Sequence, residues 1–198
     1  MIYIIRHGQT ALNVARVLQG RQDEPLNDVG RAQAATAGAW FAAQGIALKG
    51  VYTSPLVRAA ETARIITGGA VPVITDERLM EIDCGPYEGT NLLDPPEEIR
   101  VFFSDFVRNP APEGIEPLSH IVERTGEFLA MLRERYDGGD LLLSTHAIAM
   151  KGLLVNLSDA PESVWWSSPL HNCDVYRFDL ARGRFTVPEK VFELEGRQ

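Results

Sequence analysis

Apolar positions along this chain fall into short runs separated by helically spaced stretches, and that alternation predicts its elements. Ile2 to Ile5 is an apolar run with branched residues that stops abruptly at Arg6-His7-Gly8, as a buried strand would. Asn27 can cap a helix running through Gly30-Arg31-Ala32-Gln33-Ala34-Ala35 toward Ala43, with Gly45 just beyond its end. A second short strand is expected near Val51-Tyr52. Ser54-Pro55 then offers a cap and a first-position proline to a helical stretch from Leu56 to Ile66. Val71 to Ile74 reads as a third strand, followed by the segment Leu79-Met80-Glu81-Ile82-Asp83.

Residues 92–117 hold five prolines and the apolar patch Val101-Phe102-Phe103, which suggests a small helical insertion over the body of the domain. From Leu118 to Arg135 the positions Ile121, Val122, Phe128, Leu129 and Leu132 recur at helical spacing. Leu141-Leu142-Leu143 is another buried strand, ending at Ser144-Thr145-His146. Val175 to Leu180 and Phe185 to Phe192 flank Ala181-Arg182-Gly183 and read as strands near an edge. The expected fold class is α/β, a three-layer α/β/α sandwich with a mainly parallel central sheet. The expected organisation is one domain over residues 1–198, with the insertion at about 92–117.

Composition narrows the partners. The chain has 198 residues, 45% of them hydrophobic, which suffices for a sizeable core. No apolar run approaches the roughly 20 residues that span a bilayer, and the first residues lack a basic leader. Cys84 and Cys173 stand alone, which disfavours a disulfide framework or a zinc site. The expected location is therefore the cytoplasm, with no metal. A formal net charge of −8 opposes nucleic acid or an anionic membrane as main partner. Yet 16 of the 19 basic residues are Arg, only Lys49, Lys151 and Lys190 being Lys. Arg presents a planar pair of donors to phosphate or carboxylate, so local binding of a small anion fits this skew. Edge-strand pairing leaves a homodimer open.

Placed on this outline, the polar residues gather. Ligands of open α/β sheets lie beyond the carboxyl ends of the strands. Arg6-His7-Gly8 follows the first strand, Thr53-Ser54-Pro55 the second, and Thr145-His146 the Leu141 strand, while Arg58 lies at the start of a helix. Two Arg and two His in one crevice repel each other unless an anion sits among them, and a phosphoryl group answers that need best.

Arg6-His7-Gly8-Gln9-Thr10, followed by Asn13, resembles the signature of the histidine phosphatase superfamily, the phosphoglycerate mutase-like proteins. The resemblance continues through Leu18-Gln19-Gly20, Asp23, Pro25-Leu26 and Gly30. It returns at Ser54-Pro55-Leu56-Val57-Arg58-Ala59 with Thr62-Ala63, at Glu81-Ile82-Asp83-Cys84-Gly85 with Glu88-Gly89, and at Thr145-His146. It implies phosphoryl transfer through a phosphohistidine, with no cofactor. His7 would be the nucleophile, kept neutral by Arg6 and Arg58. Arg6, Arg58 and His146 would bind the non-bridging oxygens, and Glu81 would be the proton donor. Gly8 would leave room for the phosphate, and Asn13 matches a phosphate-contacting position. Gln19, Gly20, Ala147 and Asn172 are expected at the substrate pocket. Many relatives have His-Gly where this chain has His146-Ala147, and the added methyl could alter the placement of His146.

Other polar residues carry plainer expectations. Glu88 should be structural and His120 a solvated surface residue. For Trp165-Trp166 core packing of at least one is favoured over a subunit contact or a pocket lid. The favoured activity is hydrolysis of a small phosphorylated metabolite. Alternatives are a cofactor-dependent phosphoglycerate mutase and a non-catalytic phospholigand-binding relative.

Overall fold

Alternation within the strands decides the layers. In the first strand, β1 (Ile2–Arg6), Ile2 and Ile4 enter one core cluster while Tyr3 and Ile5 enter another. A residue-by-residue switch of face is the strand period, so both faces of the sheet are covered. The computed structural model describes residues 1–194. In chain order β1 is followed by α1 (Ala11–Val14), α2 (Asp28–Ala43), β2 (Leu48–Thr53), α3 (Val57–Thr67) and β3 (Val73–Thr75). Then come α4 (Glu97–Ser104), α5 (Leu118–Arg135), β4 (Asp140–Thr145), α6 (Ala147–Asn156) and α7 (Glu162–Ser167). The chain closes with β5 (Val175–Phe178), β6 (Leu180–Ala181), β7 (Arg184–Phe185) and β8 (Glu189–Phe192).

The main sheet has six strands in the order β3-β2-β4-β1-β5-β8. β3, β2, β4 and β1 run parallel, while β5 is antiparallel to both of its neighbours. The mainly parallel three-layer sandwich is as the sequence predicts. One face carries Ala37 and Phe41 of α2 and Ala63 of α3. The other carries Phe128 and Leu132 of α5 and Met150, Leu153 and Leu154 of α6. Each fully buried side chain of this size contributes about 1.5–3 kcal/mol through burial. Among the described residues no helix is long and apolar enough to cross a membrane.

Several boundaries differ from the expectation. Asn27 does cap α2, its Oδ1 accepting from Gly30 N at 2.7 Å. Ser54 and Pro55, by contrast, do not start α3. Leu56 is still extended (φ −65°, ψ 133°), so the helix opens at Val57. Its cap comes from a distant loop: Val57 N donates to Asp23 Oδ1 at 2.7 Å. Ser54 Oγ instead accepts from Leu56 N at 3.2 Å, tightening the turn. The third strand is shifted to Val73–Thr75, because Pro72 offers its carbonyl to Val51 N but has no N–H of its own to donate. The final expected strands divide into β5 and β8 with the separate β6–β7 hairpin between them, and β5 is interior. Within 92–117 the one helix is α4, whose Ile99 and Phe102 dock on a third cluster containing Ile82, Ile121 and Trp166.

Candidate active site

The parallel register brings the polar residues together. Arg6 pairs with Thr145, and Thr53 with Ser144, so β1, β4 and β2 end side by side. His7 follows β1, His146 follows β4 as the N-cap of α6, and Arg58 lies in the first turn of α3. His7 and His146 have ring centroids 5.1 Å apart, and both are buried.

Hydrogen bonds assign the tautomers. His7 Nδ1 lies 2.7 Å from Gly8 O, an acceptor only, so Nδ1 carries the proton and Nε2 the lone pair. Arg58 Nε donates to His146 Nδ1 at 3.1 Å, so in His146 the proton sits on Nε2. That Nε2 is buried and has no partner among the described residues. A nucleophilic nitrogen and an unsatisfied donor therefore stand on neighbouring rings. Burial first, then Arg58 and Arg6, hold His7 well below the usual histidine range. Burial also lowers His146, with Arg58, His7 and Arg6 adding to the effect.

Arg58 is fully buried and tethered by two carbonyls: Nη1 donates to Gln22 O at 2.8 Å and Nη2 to Gly20 O at 2.7 Å. Burial lowers its guanidinium below the ordinary value, against the opposing pull of Glu81, Asp23 and Glu88. Five donors in a rigid fork leave it further N–H groups for an anion. Arg6 Nη1 is held by Leu170 O at 2.6 Å.

Glu81 is buried at the opening of α6. Its Oε1 accepts from Ile82 N at 3.0 Å, Ile148 N at 3.0 Å and Ala149 N at 3.1 Å. Oε2 reaches only Ile148 N, at 3.3 Å. The carboxylate thus supplies the acceptor that His146, an N-cap without a side-chain bond, does not. Ala147 is the first helical residue of α6, where alanine is well suited, and its methyl leaves His146 extended (φ −126°, ψ 175°).

The remaining expected residues surround this centre. Asn172 Nδ2 donates to His7 O at 2.9 Å and to Asn13 Oδ1 at 3.3 Å, linking both to the backbone of His7. Asn13 also closes a capping box with Thr10. Gln19 Oε1 accepts from Thr10 Oγ1 at 2.9 Å, and its buried Nε2 has no partner among the described residues. Gly20 gives its carbonyl to Arg58, and its N–H donates to Glu88 Oε2 at 3.0 Å, which makes Glu88 structural.

Gly8 serves another purpose than the expected one. An added Cβ would meet Gly30 O at 2.4 Å, so the space is taken by the first turn of α2 rather than kept for phosphate. His120, half exposed, departs from a purely solvated role, since its Nδ1 lies 2.7 Å from Glu116 Oε1. Trp166 is buried in the cluster beneath the insertion, and Trp165 packs on the sheet side with its ring 6.0 Å from Tyr176. Core packing, not a lid, describes both.

Sequence reasoning missed the supports. Thr62 Oγ1 accepts from Gly8 N at 3.0 Å and donates to Arg58 O at 2.7 Å, joining the loop after β1 to α3. Arg124 donates to Glu116 Oε1 at 2.7 Å and to Arg78 O at 2.7 Å, pinning the segment that leads to Glu81. Lys151 is buried on α6, and its one signal was a cation inside the apolar run 147–155. Among the described residues no group of three or more His, Cys, Asp or Glu is set to hold a metal ion.

Comparison with known proteins agrees with this geometry. A family model described as the histidine phosphatase superfamily (branch 1) matches residues 2–191. A probable phosphoglycerate mutase GpmB of Yersinia enterocolitica is 31% identical over 98% of this chain and 92% of its own length. The solved structure of YhfR from Bacillus stearothermophilus superposes with a TM-score of 0.83 at 33% identity, covering 94% of each chain. A mycobacterial glucosyl-3-phosphoglycerate phosphatase in complex with VO3 superposes with a TM-score of 0.80 at 25% identity, covering 94% of this chain and 96% of that one. Sequence, fold and the polar cluster at the strand ends agree: the chain belongs to the histidine phosphatase superfamily, branch 1.

Proposed function

We propose that the protein is a phosphomonoester hydrolase that uses a phosphohistidine and no metal, acting on a small phosphorylated metabolite. The observation that carries this reading is the pair of tautomers: an unprotonated Nε2 on His7, and on the His146 ring 5.1 Å away a buried Nε2–H without a partner among the described residues, with Arg58 and Arg6 close enough to act on both. His7 Nε2 attacks phosphorus as the bond to the leaving oxygen breaks. Arg6, Arg58 and His146 Nε2–H bind the non-bridging oxygens, taking the role a divalent cation fills elsewhere. Glu81, entering the step as the carboxylic acid, gives its proton to the leaving oxygen, and the carboxylate so formed takes a proton from the water that attacks phosphohistidine, releasing phosphate and neutral His7. The VO3 complex of the mycobacterial phosphatase lends support, since that relative accommodates a small oxyanion.

A second reading, the cofactor-dependent mutase, is favoured by the name of the relatives such as that of Yersinia enterocolitica. One experiment separates the two. Phosphate release from a panel of phosphomonoesters, 3-phosphoglycerate included, is measured in EDTA for wild type and His7→Ala. Release that survives EDTA and disappears in His7→Ala is the expected result. Conversion of 3-phosphoglycerate to its 2-isomer without release would establish the mutase, and silence on both would favour a phospholigand-binding protein.

A further inference from the structure

A cavity of about 720 Å³ lies between the turn that ends α4, the α7 segment and α6, and its Lys151 is near enough to Glu81 and Arg6 for their charges to act on it. Its walls include Phe103, Phe106, Val164 and Trp166. Two stretches of its lining adjoin the cluster along the chain. Pro169 lines the cavity, and the next residue, Leu170, holds Arg6 through its carbonyl. Helix α6 binds Glu81 on the N–H groups of Ile148 and Ala149, and Lys151 follows three residues after Ile148, about 4.5 Å further along the axis.

Lys151 is the buried cation of this cavity, only 8% exposed. Its Nζ donates to Trp166 O at 2.6 Å and lies 5.5 Å from the centre of the Phe106 ring. Among the described residues no carboxylate lies within ion-pair distance of it. Asp105 lines the same cavity, but its Oδ1 accepts from Val107 N at 2.9 Å and Arg108 N at 3.1 Å. An ammonium has three donors, and an unpaired buried charge is costly. An arriving anion would relieve that cost.

We propose that the cavity receives the alcohol portion of the substrate and that Lys151 selects alcohols bearing a carboxylate. The assignment rests on the hydrolase reading above. Arg108 also lines the cavity, but it is largely exposed and lies beside Asp105, so Lys151 is the buried positive charge there, and one ammonium matches one carboxylate. The aromatic walls suit an apolar or aromatic frame between the two anionic ends. Burial pushes the Lys151 ammonium down to about 8, consistent with a cation lacking its partner.

The test compares 4-carboxyphenyl phosphate with 4-methylphenyl phosphate on wild type and Lys151→Met, with melting temperature recorded to show that the variant folds. The ratio of kcat/KM for the carboxylated ester over the methylated one should fall by about tenfold or more in the variant, the worth of one charge-assisted bond. A ratio that stays within about twofold, or equal losses on both esters, overturns the assignment. Failure of both esters to release phosphate from wild type would count against the hydrolase reading instead. Dissociation constants from calorimetry then decide on Lys151. A preference for the carboxylated ester that Lys151→Met abolishes sustains the assignment, whereas no preference, or no binding of either ester, overturns it.

Discussion

Arg58 and His146 share a buried hydrogen bond, Nε to Nδ1 at 3.1 Å, that fixes which nitrogen of the histidine carries the proton. Arg58 cannot accept, so Nδ1 must, and Nε2–H points its donor capacity elsewhere. The guanidinium is itself held by the carbonyls of Gly20 and Gln22, three and one residues before Asp23, which caps the helix of Arg58. Loop 20–23 and α3 thus orient a cation, and the cation orients an imidazole.

Arg58→Ala should therefore do more than remove one charge. It leaves His146 free to take the other tautomer, with its donor turned away from the phosphoryl group. The expected loss in kcat/KM is at least about a hundredfold, the usual cost of a preorganised donor. Arg58→Lys should recover little, because an ammonium cannot span Gly20 O, Gln22 O and His146 Nδ1 at once. Steady-state kinetics on one reactive ester decide the point, and near-wild-type activity in Arg58→Lys would refute the tautomer argument.

On the proposed mechanism the depressed histidines should set the acid limb of activity. His7 would have to be neutral to attack, and burial with Arg58 and Arg6 lowers it well below its ordinary range. In the free enzyme kcat/KM should stay level as pH falls to about 6.5, where an unperturbed histidine would already be half protonated. In Arg58→Gln the limb should move to higher pH, since a cation has been removed. Stability follows the same sign. The unfolded chain binds protons on His7 and His146 before the folded one does, so stability falls as pH drops below about 6.5. Vanadate or phosphate should offset that fall, and a melting curve series with and without anion measures it.

Much of this was legible in the sequence, for physical reasons. The strands are buried on both faces, so they read as continuous apolar runs, and the polar residues just after them mark the crevice. Helix α2 was legible because Asn27 caps it locally. The start of α3 was not, because its cap, Asp23, lies 34 positions away from Val57. The same holds for Glu81 at α6 and for Arg124 beneath the 78–81 segment: long-range polar contacts leave no local pattern. Gly8 was recognisable as a required glycine, but the atom it makes room for, Gly30 O, could only be seen in three dimensions.

Gly8→Ala should consequently destabilise the fold as well as the site. The new methyl would meet Gly30 O at 2.4 Å, and both partners are backbone, with no flexible side chain to yield. Separation of α2 from the nucleophile loop is the expected response, at a cost of about 3 kcal/mol. Urea denaturation reports the loss, and activity should fall with it. A variant that is inactive yet as stable as wild type would mean that Gly8 serves the phosphate after all.

Glu81→Gln separates chemistry from capping. The amide oxygen can still accept from Ile148 N and Ala149 N, so α6 should keep its position. A proton for the leaving alcohol is lost. Alkyl phosphates should slow by about a hundredfold or more, and 4-nitrophenyl phosphate, whose leaving group needs no proton, by less than about tenfold. Equal losses on the two esters would remove Glu81 from the role of acid.

Lys151 makes a prediction about stability that is independent of any substrate. Its ammonium sits at about 8 in the folded protein, against 10.5 for the free side chain, with burial as the leading cause. Between those values the unfolded chain holds a proton that the folded chain has shed, so the lysine's contribution to stability rises with pH across the window. Below it both states are protonated, and the folded state bears the full cost of the buried charge. Lys151→Met has no such titration. Measured by urea denaturation, the stability of wild type relative to Lys151→Met should rise by roughly 2 kcal/mol between about pH 7.5 and about pH 9.5. Comparing the two proteins at each pH cancels the tyrosines and other groups that titrate in the same range. A difference that stays flat would mean that water reaches the ammonium, and the cation would then have no unmet need for a carboxylate to satisfy.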